Sequence, residues 1–253
     1  IILLALFTTA IGHSLMLHSL KFFSATTATI ISSLQPIFGI ILAFFFLSEI
    51  PTMNTFLGIT QDYSRAEIKE GALKDAEYLY IEGYLVTSEN GQDAMKHAKQ
   101  LAEENGVKTA ITFSDPAMVK YFKDPMTAVV GSGVDLLFCN EEEAMLYTGK
   151  ENIAEAKEEL KKSAKQFVVT LGEKGAVAFD GDTFIDIAPY SVNAIDSNGA
   201  GDLFAGSFLF AVVKGHSFEE AAKLACNSAS ELVTQFGARL DKSRPTQIYN
   251  SLF

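Results

Sequence analysis

The residues best placed for chemistry stand close together in Asp196-Ser197-Asn198-Gly199-Ala200-Gly201-Asp202. Gly199 and Gly201 allow tight backbone curvature with exposed N–H groups. The apolar, small-residue run that follows, through Leu209, reads as a helix. Its amino end adds a positive dipole, and loop and dipole together make an anion site. Asp202 falls in the first turn. Beside a phosphate, such a carboxylate can accept the proton of an attacking hydroxyl as the phosphoryl group moves. On spacing alone, a glycine-rich loop with an aspartate completing a helix start is the simpler account.

Three weaker constellations accompany it. Asn140-Glu141-Glu142-Glu143 follows an apolar strand pattern, although Asn with an acid three residues later also simply starts a helix. Thr170-Leu171-Gly172-Glu173-Lys174-Gly175 could be a plain hairpin turn. Asn227 could be a polar residue facing a core. Phe236-Gly237-Ala238 could be a glycine helix stop, closing a helix opened by a Ser217–Glu220 capping box.

The elements that must position these residues alternate from Asp62 onward. Strand patterns cover 78–84, 107–113, 134–138, 166–171, 176–179 and 183–188. Helix patterns cover 91–104, 116–122, 141–148, 152–164, 201–213 and 218–235. Such alternation predicts an α/β fold with parallel βαβ units and helices on both faces of a sheet. The four residues Gly172 to Gly175 between neighbouring strands predict a hairpin at one edge. In such sheets ligands bind beyond the carboxyl ends of the strands.

Composition removes several classes of function. A net charge of −11 argues against a nucleic-acid partner, which needs a basic surface. Cys139 and Cys226 are too few for a disulfide framework or a zinc site, and four scattered histidines form no HExxH. A phosphate-binding G-x4-G-K-[ST] is absent. Gly131-Ser132-Gly133 precedes a strand instead of following one, so a dinucleotide fingerprint is not supported.

DSNGAGDLFAGSFLF resembles the second signature of the PfkB (ribokinase-like) sugar and nucleoside kinases, D-T-x-G-A-G-D, with Ser197 in place of the common Thr. The resemblance implies Asp202 as catalytic base and the N–H groups of Gly199, Ala200 and Gly201 as the anion hole for a transferring γ-phosphate. Asp196 would shape the loop. Asn140 and Glu143 match the family's N-x-x-E motif and would organise Mg²⁺ and its waters, in keeping with an ion that needs few protein carboxylates. Thr170, Gly172 and Gly175 match the nucleotide-side turn, while Asn227, Gly237 and Ala238 match the helix and loop bordering adenine. LYIEGYLVT, VDLLFCNEEEA, VVTLGEKGA and QFGARL look most like bacterial adenosine-kinase-like members. The implied chemistry is ATP-dependent phosphorylation of a primary hydroxyl on a nucleoside or sugar. The matched region, 62–253, corresponds to the carboxy-terminal part of the family pattern. The first Gly-Gly signature, the sugar-diol aspartate, the first strands and the small β-lid have no counterpart in it. The expected fold is therefore a ribokinase-like sheet truncated on its amino-terminal side, with activity or an inactive nucleotide-binding remnant both open.

Residues 1–58 belong to a different solvent. They contain two formal charges, Lys21 and Glu49, which leaves 19 basic and 30 acidic groups for the rest. The uncharged runs 1–20 and 22–48 are each long enough to span a bilayer as a helix. LHSLKFFSATTATIISSLQPIFGIILAFFFLSEIPTMNTFLG resembles the last repeat of EamA-type drug/metabolite transporters, with Lys21, Pro36, Glu49 and Pro51 at that family's loop, kink and helix step. The expectation is a two-helix, transporter-like membrane segment (1–58), with membrane contact through 1–48, joined to a kinase domain (62–253). The positive-inside tendency would put the Lys21 loop in the cytoplasm and both chain ends outside, whereas a kinase is expected in the cytoplasm with its ATP. That conflict reads as a join between two unrelated proteins.

Overall fold

The computed structural model describes residues 63–253; the expected membrane helices and their EamA-like motif lie outside the described residues. Thr60–Phe253 forms one compact unit. A six-stranded sheet runs in the order β1 (Tyr78–Glu82), β2 (Lys108–Thr112), β3 (Val134–Asn140), β4 (Ala164–Thr170), β5 (Ala176–Phe179) and β6 (Phe184–Ile187). The first four strands are parallel; β5 and β6 return antiparallel, so the hairpin falls at one edge as its turn predicts.

Alternate residues of each strand face different helices. One face buries Ile81, Ile111, Leu137, Cys139, Phe167 and Val169. It is covered by α1 (Glu89–Glu104), α2 (Pro116–Tyr121), α3 (Lys123–Val130), α4 (Glu141–Thr148) and α5 (Ile153–Leu160). The other face buries Ala110, Leu136, Phe138, Val168 and Ala178 under α6 (Ala200–Val213), α7 (Phe218–Leu232) and α8 (Arg244–Leu252). At roughly 1.5–3 kcal/mol per fully buried aliphatic or aromatic side chain, these two layers supply the main stabilising term. Small alanines on α6 and α7 (Ala205, Ala211, Ala221, Ala222, Ala225) are fully covered and let these helices lie close together.

The differences from the sequence patterns have local causes. Strand β1 stops at Glu82 rather than 84 because Gly83 enters a 3₁₀ turn, Gly83–Thr87. A Cβ at Gly83 would lie 2.6 Å from the Phe113 carbonyl oxygen, so the chain must bend there without a side chain. The expected helix 152–164 ends at Leu160, and Ala164 instead opens β4 beside Val134. Helix α3 carries Pro125 in its first turn, where a missing N–H costs nothing, so a residue that reads as a breaker sits inside a helix. Helix α8 is likewise begun by Pro245 and anchored by buried Ile248.

Candidate active site

The four parallel strands end at Glu82, Thr112, Asn140 and Thr170, and the loop before α6 arrives at this same end of the sheet. Asp196 organises that loop. Its Oδ1 accepts the Asn198 N–H at 3.0 Å and its Oδ2 accepts the Gly237 N–H at 3.0 Å. The Val233 carbonyl accepts the Ile195 and Asp196 N–H groups at 2.6 and 3.2 Å. Gly199 turns the chain into the helix at φ 75, and a Cβ there would lie 2.7 Å from the Cβ of Ala238. Thus Gly237 and Ala238 pack directly on the bend, two of the residues that sequence matching puts beside the adenine.

The amino end of α6 leaves its amides unequally committed. The Ala200 N–H donates to the Ser197 carbonyl at 3.2 Å, and the first helical bond runs from Leu203 N–H to the Gly199 carbonyl at 2.9 Å. The N–H groups of Gly199, Gly201 and Asp202 donate to no described residue. Asp202 is exposed rather than packed in hydrocarbon. Of the three amides expected to hold an anion, Gly199 and Gly201 are free and Ala200 is already engaged; the Asp202 amide joins the free set.

Asn140 and Glu143 form a reciprocal cap on α4. The Glu143 N–H donates to Asn140 Oδ1 at 2.8 Å, and the Glu143 carboxylate accepts the Asn140 N–H and Nδ2–H at 2.9 and 2.8 Å. Glu143 is only 4 % exposed. Burial pushes its carboxyl up to about 7, opposed by the Asn140 N–H and assisted by Asp115 and Glu142. Among the described residues no cluster of three or more His, Cys, Asp or Glu side chains could cage a metal. All the donors here are hard oxygens, and both Glu143 oxygens already accept a hydrogen bond. The set therefore fits a magnesium ion that keeps its waters and takes its remaining contacts from phosphate.

Sequence reasoning missed a second group on the neighbouring strand ends. The Glu82 carboxylate accepts the Ser114 hydroxyl at 3.0 Å, and Ser114 Oγ accepts the Gly83 N–H at 2.8 Å. Ser114, at φ 68, is the one non-glycine among the described residues in the left-handed region, and such strain clusters at functional sites. Asp115 caps α2 through the Ala117 N–H at 2.7 Å. Burial raises the Glu82 carboxyl, and the charge of Asp202 adds to it. Burial also raises the Tyr84 hydroxyl, reinforced by Asp115, Asp202, Glu143 and Glu82 in that order. Tyr84 therefore marks the place where the α6, α4, β1 and β2 contributions converge. A φ above zero at a serine leaves no trace in residue order, so these groups had no spacing signal.

The remaining candidates lie around this centre. Thr170 pairs with Asn140 across β3 and β4, and Lys174 in the following turn reaches Glu141 at 3.4 Å. Gly172 and Gly175 adopt φ 60 and φ 92, and the Ile187 carbonyl occupies the space a Cβ of Gly175 would need. Asn227 is half-buried on α7; no described hydrogen bond joins it, or the 170–175 turn, to Gly199–Asp202. Gly131 and Gly133 form the turn before β3, at the opposite end of the sheet.

A six-stranded α/β sheet with a glycine-turned helix start at its carboxyl end is a ribokinase-like arrangement. The model of the pfkB family of carbohydrate kinases matches residues 42–245, and the chain belongs to that family. The EamA-like transporter family model matches residues 1–60. A cytidine kinase of Thermococcus kodakarensis is 29% identical over 188 residues, covering 72% of this chain and 63% of the relative. A ribokinase of Haemophilus influenzae is 31% identical over 181 residues, covering 68% and 56%. The crystal structure of adenosine kinase from Sinorhizobium meliloti superposes with a TM-score of 0.71 at 30% identity, covering 75% of this chain and 59% of that one. The chain thus spans about three-fifths of the length of these relatives.

Proposed function

We propose that this chain carries the phosphoryl-transfer half of an ATP-dependent PfkB-type kinase, moving the γ-phosphate to a primary hydroxyl of a nucleoside, adenosine-like in class, or of a sugar. One observation carries the reading: the start of α6 holds three amides that donate to no described residue, those of Gly199, Gly201 and Asp202, together with the exposed Asp202 carboxylate, at the carboxyl end of the sheet. Donors fixed in advance where charge accumulates are the main way a protein lowers a phosphoryl-transfer barrier. Asp202 takes the proton of the acceptor hydroxyl. Magnesium, held through water by Asn140 and Glu143, would neutralise phosphate charge. Thr170, Gly172 and Gly175 border the nucleotide on one side, and Asn227, Gly237 and Ala238 on the adenine side.

Release of ADP by the full chain, with ATP, magnesium and a panel of nucleosides and sugars, tests the reading. Turnover that appears with one acceptor class and disappears in Asp202→Asn supports it; a folded chain inert to the whole panel refutes it. A second reading is a nucleotide binder without turnover, favoured by the Ala200 amide, which is already committed to the Ser197 carbonyl instead of being open to a migrating phosphoryl group. Calorimetry with a non-hydrolysable ATP analogue separates the two: heat of binding without turnover supports the second reading, and no heat removes both.

Residues 1–58 are proposed to be a membrane-inserting, transporter-like segment, which would place the chain at a membrane with its kinase domain on the cytoplasmic side. No helix among the described residues is long and apolar enough to cross a membrane, so any insertion rests on that segment. Co-flotation of the full chain with liposomes after a high-salt wash supports insertion; recovery wholly in the aqueous fraction contradicts it.

A further inference from the structure

We propose that Arg239 grips the phosphate chain of the bound nucleotide, closing over it from the side opposite the free amides of α6. The inference rests on the kinase reading above and adds to it a residue that has no part in the site as assigned so far.

The three arginines among the described residues are not alike. Arg65 Nε meets Asp93 Oδ2 at 2.6 Å. Arg244 forks onto Glu231, with Nη2 2.6 Å from Oε1 and Nε 3.2 Å from Oε2, and its Nη1 donates to Gln247 at 3.1 Å. Arg239 is exposed, and its guanidinium donates to no described residue. Its main chain is nevertheless held, because its carbonyl accepts a Gln235 Nε2–H at 2.8 Å. A planar fork of five donors, always charged and rooted on a fixed stem, is well shaped for a bidentate hold on phosphate.

The stem stands at the bend. Asp196 ties Gly237 to the loop before α6, and a Cβ at Gly199 would lie 3.0 Å from the Ala238 Cα and 3.1 Å from the Ala238 carbonyl oxygen. The Arg239 Cα follows one trans peptide later, about 3.8 Å further on. The amides of Gly199, Gly201 and Asp202 are therefore within the length of its side chain, with no movement of the main chain. The charge balance of the site calls for such a group. A nucleoside triphosphate brings several negative charges beside two acids, Asp202 and Glu143. The amides and a magnesium ion would answer part of that charge. Lys174, in the turn on the other side, is drawn toward Glu141 at 3.4 Å. Arg239 supplies a full positive charge with no acid to share it, where positive groups set in advance speed phosphoryl transfer.

The test compares three probes on the full chain by calorimetry in the presence of magnesium: AMP, a non-hydrolysable ATP analogue and inorganic tripolyphosphate. Arg239→Ala should weaken the ATP analogue and tripolyphosphate by about tenfold to a hundredfold and AMP by much less. Arg239→Lys should recover part of the loss, since it restores the charge but not the fork. Both variants should melt with the parent, because the guanidinium has no described partner to lose. Equal weakening of AMP and the ATP analogue with tripolyphosphate untouched would mean that the arginine serves the base, and overturns the proposal. Unchanged affinity for all three probes, or variants that melt well below the parent, also overturns it. The expected losses in a chain that releases no ADP with any acceptor count only against the kinase reading. ADP release equal in Arg239→Ala and the parent counts only against Arg239, and a parent that binds neither polyphosphate removes both.

Discussion

Asn140–Glu143 and Ser217–Glu220 open their helices with the same reciprocal pair of hydrogen bonds, yet their acids differ in character. Glu220 is exposed, and the Ser217 N–H and hydroxyl hold its carboxyl below the usual range. Glu143 is buried beside Asp115 and Glu142, and its carboxyl rises to about 7. The motif is identical; the position against the sheet differs. At the carboxyl ends of β1–β4 a cap becomes a perturbed acid, while at the start of α7 it remains a cap. The amino ends of the strands make the same point from the other side. A cavity of about 530 Å³ opens there, but its Lys165 and Lys162 are already paired with Asp135 and Glu159. A cavity whose lysines are largely paired offers less chemistry than a helix start whose amides donate to no described residue.

That contrast can be broken in several ways. The largest effect is expected from Asp202→Asn, which should lower turnover on the order of a hundredfold to ten-thousandfold while ATP-analogue affinity holds, because only proton acceptance is lost. Steady-state rates set beside calorimetric affinities check this; a variant with unchanged turnover would remove Asp202 from the chemistry. Next, Glu143→Gln should reduce phosphoryl transfer by tens of fold and steepen its magnesium dependence, whereas Glu220→Gln should leave both alone. Equal losses in the two variants would mean that both acids serve only as caps.

Stability against pH sharpens the same comparison by sign. The folded pKa of Glu143 is raised, so the native state binds the extra proton between pH 4.5 and about 7, and this group's contribution to stability falls across that window. The change is on the order of 3 kcal/mol at most and levels off above it. Glu220 has a lowered folded pKa; its contribution is present above 4.5 and is lost as pH falls through the folded value. Denaturant melts from pH 2 to 8 on Glu143→Gln and Glu220→Gln, each subtracted from the parent chain, should give slopes of opposite sign, that of Glu143 between 4.5 and about 7 and that of Glu220 below 4.5; parallel curves would show that burial does not separate the two acids. A smaller change is expected from Gly199→Ala, which must hold a side chain at φ 75 against Ala238, at about 1–3 kcal/mol of stability. A melting temperature equal to the parent's would show that the 236–238 loop moves aside freely.

Much of this was legible in the residue order, for identifiable reasons. The alternation of apolar runs and amphipathic stretches gave the parallel order and both helix layers because each strand residue commits to one face. The D-S-N-G-A-G-D bend was readable because glycines at fixed offsets before an apolar helix have few other uses. Two helices escaped, α3 and α8, since Pro125 and Pro245 signal a break in sequence but fall in first turns where no N–H is required. The expected role of the Ala200 amide met a similar limit: a bond from its N–H to the Ser197 carbonyl depends on the tightness of the bend, which composition does not encode. Glu82, Ser114, Tyr84 and Asp115 come from two segments about thirty residues apart and meet only through the pairing of β1 with β2. No local pattern could announce them.

Asp196 joins stretches of chain that are 41 residues apart, with one carboxylate oxygen for each. A short side chain with two rotatable bonds gives up little freedom to make such a rivet. Its mechanical result is that the bend before Asp202 and the strip at Gly237 lose independent thermal motion. Any molecule that presses on one of them stiffens the other through Asp196 and the packing of Gly199 on Ala238.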